Sequence, residues 1–330
     1  MGAELRFQTL QLRKIILQCL GERDSMDRRK FLGTATAAAI ATGLNPISSL
    51  AQAPKLKPMA VGLLISPHGA PEATIKRVHD MGFSNCFLSL DGYIGKFTAD
   101  AAKQIGDSLA KYELVATTVE VVGPGRLQWD FLEGPSTIGV VPPKTRSARI
   151  DALRQVSDFA KQLGIGQVQT HCGFIPEDPS DPLYPQTVAA IRTVAEHCHT
   201  NGQYFLMETG QETPTTMSRV IHDANLPNLG VGLDTANLIL YGKANPVDAL
   251  DVLGPLVQGI HAKDGLYPTG PRELGREVPI GQGKVNFPAF IKRLKEIGYR
   301  GPLTIEREIS GPKQMEDIRA AKTYLEKLVG

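Results

Sequence analysis

The sequence is short of cysteine, of net charge and of long apolar runs. Its four cysteines, Cys19, Cys86, Cys172 and Cys198, include no CxxC pair, so neither a disulfide framework nor a zinc ribbon is indicated. The formal net charge is +2 over 330 residues, with no block of like charges. That leaves no electrostatic footprint for nucleic acid or an anionic membrane. The weakly apolar stretch near the N-terminus is rich in Ala, Thr and Gly and is broken by Asn45-Pro46, so it spans a bilayer poorly. No glycine-rich fingerprint follows the first apolar run in "VGLLISPHGAPE", which speaks against a doubly wound nucleotide-binding sheet. What is present is 42% hydrophobic and 21% charged residues, enough apolar material for a real core. Small-molecule chemistry is the expectation that remains.

The N-terminal region differs from the rest. "MDRRKFLGTATAAAIATGLNPISSLAQA" sets Arg28 and Arg29 before Phe31 and Leu32, then a small-residue apolar run closing in Ala51-Gln52-Ala53. This order resembles a twin-arginine export signal with an A-x-A cleavage site. Asp27 stands where such signals more often carry Ser or Thr, and 25 residues precede Met26. The expectation is therefore an unstructured or misassigned extension over 1–25, initiation at Met26, and an export signal over 26–53. The mature protein is then periplasmic, delivered by the twin-arginine export machinery, with no stable membrane insertion once the signal is removed. A homo-oligomer stays open.

From residue 54 to 330 the chain alternates β-rich runs with helical patterns. The apolar runs are "MAVGLLIS", "NCFLSL", "LVATTVEVV", "GQVQTH", "YFLMET", "LGVGLD", "VQGIHA" and "LTIERE". Between and after them lie stretches of helical period with helix-start punctuation, such as "TADAAKQIGDSLAKY", "TPTTMSRVIHDAN" and "NPVDALDVLG". Eight alternations predict a single-domain α/β fold, the (β/α)8 TIM barrel, whose strand C-termini face the active site.

Four of those strand ends carry ligand-type residues: Glu208 in "LMETG", Asp234 in "GLDTANL", His261 in "GIHAKD" and Glu306 in "TIERE". Taken singly, each acidic residue is as readily a helix cap or a solvated loop residue. Consecutive barrel strands are neighbours, however, so the four should converge at one rim. Three carboxylates together repel one another and raise their pKa values unless a cation lies between them. An oxygen-rich set with one imidazole suits one divalent ion, Mn2+ or Mg2+ first, with Co2+ or Zn2+ as alternatives. Such an ion stabilises the enediolate formed when a proton leaves the carbon next to a carbonyl. Two carboxylates acting from opposite faces invert a centre, whereas one acting along a single face moves the carbonyl.

The motifs "METGQET", "GLDTANLILYGK", "GIHAKDG" and "IGQGKVNFPAFIKRLKEIGYRGPLTIERE" resemble the xylose isomerase-like barrel superfamily, in its sugar isomerase and epimerase branch. The resemblance covers about 54–330 and is most specific after residue 204. It implies that Glu208, Asp234, His261 and Glu306 bind one divalent ion and that Glu208 and Glu306 also form the acid/base pair. Several epimerases of the branch carry a His where this chain has Asn237, which puts their substrate contacts in doubt here.

Further candidates stand near the same rim. His171 ends the fourth run and is either a contact for a substrate hydroxyl or a supporting residue; Glu120 at the third is similar. Gln211 and Asn237 follow two of the ligands. Lys263 faces the same side as His261 if the strand continues, and a solvated lysine is the alternative. Arg272 sits on a Gly/Pro-rich loop that could act as a lid, and Glu308 repeats the facing of Glu306 with a solvated carboxylate as its default. "EHCH" at 196–199 does not read as a metal cluster, because residues two apart diverge on a helix. "GQG" at 281–283 is a weak phosphate-loop signal beside a helix entry. The sequence thus points to a metal-dependent isomerase or epimerase, with an unphosphorylated keto-sugar or keto-glycoside as substrate if the leader exports it. A keto-polyol dehydratase or lyase, or a periplasmic sugar-binding protein without turnover, are the alternatives. A DNA-repair phosphodiesterase on this barrel needs more His ligands than the strand ends offer.

Overall fold

The computed structural model describes residues 56–330. The expected extension at 1–25 and export signal at 26–53 lie outside the described residues. The strands are β1 (Val61–Ile65), β2 (Asn85–Ser89), β3 (Val115–Glu120), β4 (Gln167–His171) and β5 (Tyr204–Glu208). They continue as β6 (Leu229–Asp234), β7 (Val257–Ala262), β8 (Asp264–Leu266), β9 (Arg276–Val278) and β10 (Leu303–Ile305). Parallel pairing in the order β1-β10-β7-β6-β5-β4-β3-β2 closes the barrel, so the expected TIM barrel is the fold found. Among the described residues, no helix is long and apolar enough to cross a membrane.

Helices start where short polar side chains can satisfy free N–H groups. Thr98 caps Ala99–Lys111, Thr213 caps Pro214–Ala224, Asn245 caps Pro246–Leu253 and Asn286 caps Phe287–Glu296, each accepting from a backbone N–H of the first turn. Proline stands at the first or second helical position in the last three, where its missing N–H costs nothing. Each helix then turns its apolar stripe onto the sheet, as Leu153, Val156, Phe159 and Ala160 do in Pro143–Gln162. Fully burying one such side chain contributes about 1.5–3 kcal/mol.

Register sets the site. His171 pairs with Glu208 across β4 and β5, and Asp234 pairs with His261 across β6 and β7. Latches at the rim hold those strand ends level. The Thr209 hydroxyl donates to the carbonyl of Asp234 at 2.9 Å, and the Thr235 hydroxyl donates to the carbonyl of Lys263 at 2.6 Å. Gly232 makes room inside the barrel, since a Cβ there would lie 1.9 Å from Gln169 Oε1.

Two features depart from plain alternation. A helix, Thr235–Leu240, begins directly at the end of β6, and an antiparallel hairpin, β8 with β9, follows β7. The Asp264 carboxylate accepts from the N–H groups of Gly265, Gly281, Gly283 and Val285. The "GQG" turn is therefore an internal cradle for that side chain, which disposes of the phosphate-loop reading. Arg307 donates to Glu277 at 2.6 Å and to Asp317 at 2.7 Å, clamping the hairpin beside the end of β10.

Candidate metal centre and active site

Glu208, Asp234, His261 and Glu306 come together as the sequence predicts, with one ligand atom of each within 4.8 Å of the others. His261 Nδ1 is 3.0 Å from Glu208 Oε1 and 3.3 Å from Glu306 Oε2. Glu208, Asp234 and His261 are buried, and Glu306 keeps a 12% exposed side chain. The imidazole is held edge-on by Phe87, with ring centroids 4.6 Å apart.

Asp234 is the informative ligand. Its Oδ1 caps the short helix by accepting from the Asn237 N–H at 2.7 Å. Its Oδ2 is buried and receives no hydrogen bond from a described residue. An orphaned buried carboxylate oxygen is costly, and here it points into a ring of two carboxylates and an imidazole. The donor set therefore fits a divalent cation.

In the protein alone, two side-chain cations balance these acids. Burial presses His261 toward the neutral form, but the Glu208 and Glu306 carboxylates outweigh it and hold its pKa well above the ordinary range. Burial likewise opposes charge on Lys263, and Glu306, Asp234 and Glu308 overcome it. Glu208 is raised by burial but held at about 2 by His171 and His261. For Glu306, Lys263 and His261 outweigh burial and keep the carboxyl well below its usual range. Burial lifts Asp234 above its usual range against the pull of Lys263, with Glu306 adding to the rise.

The remaining candidates divide. Lys263 is buried rather than solvated: Nζ lies 3.5 Å from Glu306 Oε2, 3.7 Å from Asp234 Oδ2, and in contact with Glu308. Glu308, with a 61% exposed side chain, is thus the outer partner of that lysine. Asn237 Oδ1 accepts from Lys263 Nζ at 3.4 Å. His171 Nε2 is 3.3 Å from Glu208 Oε2, and its Nδ1 lies 3.4 Å from Gln211 Oε1. Glu120 is buried beside Glu208. Arg272 is not brought to the centre: it is exposed in the loop joining β8 to β9 and makes no ion pair with the cluster among the described residues. His197 of "EHCH" instead pairs with Asp158 at 2.8 Å on the outer helices.

Several contributors carried no clear sequence signal. Gln169 Nε2 donates to Glu208 Oε2 at 3.0 Å from inside the barrel. Glu212 is buried with both oxygens unpartnered, and burial pushes its carboxyl up to about 8. Trp129, from the long segment after β3, packs on His171 with centroids 4.8 Å apart, while Phe131 and Phe174 meet Tyr241 edge-on. Buried Arg149 fixes that segment by donating to the carbonyls of Gly139, Thr137 and Pro124. One side of the polar centre is thereby walled with aromatic rings.

The family model described as xylose isomerase-like TIM barrel matches residues 75–328. The chain belongs to that family. A xylose isomerase domain protein from Planctomyces limnophilus is 32% identical with a TM-score of 0.77, covering 82% of this chain and 97% of that one. A ketose 3-epimerase of Arthrobacter globiformis is 25% identical over 178 residues, 50% of this chain and 57% of the relative. The chain spans between 35% and 64% of the lengths of the curated relatives it matches. A xylose isomerase-like TIM barrel protein from Mycobacterium smegmatis, solved in complex with magnesium, is 18% identical with a TM-score of 0.63, covering 83% and 96% of the two chains. Other solved structures of this fold include sugar 3-epimerases and a 3-DHS dehydratase, all under 20% identical, a likeness of fold alone.

Proposed function

We propose that this family member is a divalent-metal-dependent sugar isomerase or epimerase. The observation that carries the reading is the orphaned Oδ2 of Asp234, buried among Glu208, His261 and Glu306. These four residues would hold one ion, Mn2+ or Mg2+ by their chemistry, with Co2+ or Zn2+ less suited. When bound, the ion supplies charge stabilisation for the oxyanion that forms as a proton leaves carbon.

The side chains do the rest. Glu208 and Glu306 flank His261, which supports giving this pair the acid and base roles, taking a proton and returning it. Lys263, held between Glu306 and Asp234, is a donor for a substrate oxygen at the same rim. Asn237, Gln211 and His171 supply polar contacts. The ring wall of Trp129 and Phe131 keeps bulk water from one side, where an exposed enediolate would be reprotonated at random.

The substrate assignment, an unphosphorylated keto-sugar or keto-glycoside, rests on the periplasmic expectation for this chain. Its support is the twin-arginine pattern, since sugar phosphates are scarce outside the cytoplasm. The testing experiment incubates Mn2+-loaded protein with keto-sugars and their phosphates and follows products by NMR and ultraviolet absorbance. A new sugar epimer or aldose supports the reading. An absorbing enone with loss of water assigns a dehydratase instead, and binding without turnover assigns a sugar-binding protein.

A further inference from the structure

Tyr241 brings to the rim a polar group that neither the fold nor the four-residue centre uses. It directly follows the helix Thr235–Leu240, which Asp234 caps, and its N–H donates to the Asn237 carbonyl at 3.0 Å. A Cβ at Gly210 would lie 3.5 Å from the Tyr241 ring and 3.2 Å from Asn237 Cβ, so the ring rests on the chain just past Glu208. Phe131 and Phe174 meet it edge-on, with centroids 6.1 and 5.8 Å away. The ring is thereby fixed relative to the ends of β5 and β6, which carry Glu208 and Asp234.

The hydroxyl is the unexplained part. Tyr241 is 5% exposed, and its Oη has no hydrogen-bond partner among the described residues. A buried tyrosine hydroxyl ordinarily finds a partner, because leaving it unpaired is costly. Gln211, Lys263, Glu308 and Glu212 are the polar side chains around it, yet the Gln211 amide is turned to His171 Nδ1, at 3.3 Å from Nε2 and 3.4 Å from Oε1. Charge nearby is already balanced. Lys263 is held by Asp234, Glu306 and Glu308, and burial keeps the Glu212 carboxyl neutral up to about 8. What stays open beside the metal centre is a neutral group that can both donate and accept, with an amide next to it and aromatic rings behind. Its match is a sugar hydroxyl. A phosphate there would face Glu306 and Glu308 across a lysine whose charge they already hold.

We propose that Tyr241 is a specificity-determining residue of the substrate site: its hydroxyl, with the Gln211 amide, binds a substrate hydroxyl away from the reacting carbons and selects neutral keto-sugars over their phosphates. The proposal rests on the isomerase or epimerase reading, because it assigns a substrate contact at that site. A site built to pair with a substrate hydroxyl discriminates strongly, since a poorer ligand leaves its buried partner unpaired.

The test compares Mn2+-loaded wild type with Tyr241→Phe, which removes only the hydroxyl. The probes are D-fructose, D-psicose, D-tagatose, D-sorbose, a methyl 3-ketoglucoside and D-fructose 6-phosphate. Deuterium uptake from D2O gives KM and kcat, and urea midpoints give stability. The wild type should exchange at least one neutral sugar, and that sugar in preference to the phosphate. Tyr241→Phe should raise the KM for it about tenfold, the worth of one hydrogen bond, with kcat little changed. Its urea midpoint should stay level or rise, because an unpaired buried group has been removed. An unchanged KM overturns the proposal alone, and a midpoint that falls with it makes the hydroxyl a structural group paired through buried water. A preference for the phosphate overturns the proposed selection. Exchange of none of the probes by the wild type overturns the isomerase or epimerase reading and this proposal together.

Discussion

The ammonium of Lys263 stands 3.7 Å from Asp234 Oδ2, the buried oxygen to which no described residue donates a hydrogen bond. The lysine thus supplies part of the positive charge that a divalent ion would bring. A unit charge about 5 Å from a divalent ion is repelled by about 7 kcal/mol at an effective dielectric constant of about 20. Lys263→Met should therefore bind Mn2+ at least tenfold more tightly by calorimetry while losing turnover. Weaker binding would make the lysine a support of the ligands rather than a competitor of the ion.

Asp234 has two separable duties, one per oxygen. Asp234→Asn keeps an acceptor for the helix cap but replaces a charged ligand, so metal affinity should fall at least a hundredfold with little change in unfolding midpoint. Asp234→Ala should lose the metal and also about 1 kcal/mol of stability from the missing cap. Equal stability losses in both variants would separate the cap from the site.

Metal binding should strengthen as pH rises. His261 is held protonated above its ordinary range by Glu208 and Glu306, and an imidazole must be neutral to ligate. Each proton displaced makes the apparent affinity rise about tenfold per pH unit, until the pH passes the raised pKa. Titration of Mn2+ between pH 6 and 9 measures the slope, and a flat profile would mean that His261 is not a ligand.

Glu212 gives an independent pH signature in stability. Its folded pKa of about 8 lies above the ordinary 4.5 because burial disfavours the charge. Between those values the folded chain holds a proton that the unfolded chain has released, so stability is full below 4.5 and falls as pH rises toward 8. The slope is about 1.4 kcal/mol per pH unit. Glu212→Gln should remove this fall, read as urea midpoints at pH 5, 6.5 and 8. An unchanged slope would show that Glu212 is charged and partnered.

Much of the barrel and its centre was legible because each rests on strong local signals. Eight short apolar runs separated by capped helical patterns admit few folds, and a charge closing an apolar run is costly enough to stand out at Glu208, Asp234, His261 and Glu306. Gln169 escaped notice because a neutral polar residue within a strand carries no such cost until its neighbours are known; only the bare Cα of Gly232 opposite makes its space. The hairpin of β8 and β9 has strands of three residues, too short for alternation to register. For Lys263, read as a rim candidate, a solvated alternative stayed open because the three acids around it come from β6 and from the end of β10 and beyond, distant in the chain.

The central claim is proton transfer at carbon by these carboxylates, and hydrogen exchange reads it directly. Metal-loaded wild type should wash deuterium from D2O into the carbon next to the carbonyl of a keto-sugar substrate, followed by proton NMR. Glu306→Gln should lose that exchange by about 10²–10⁴-fold, measured at Mn2+ concentrations that saturate the variant's weakened site. Undiminished exchange in Glu306→Gln, or a keto-sugar turned over with no deuterium entering carbon, would contradict the account.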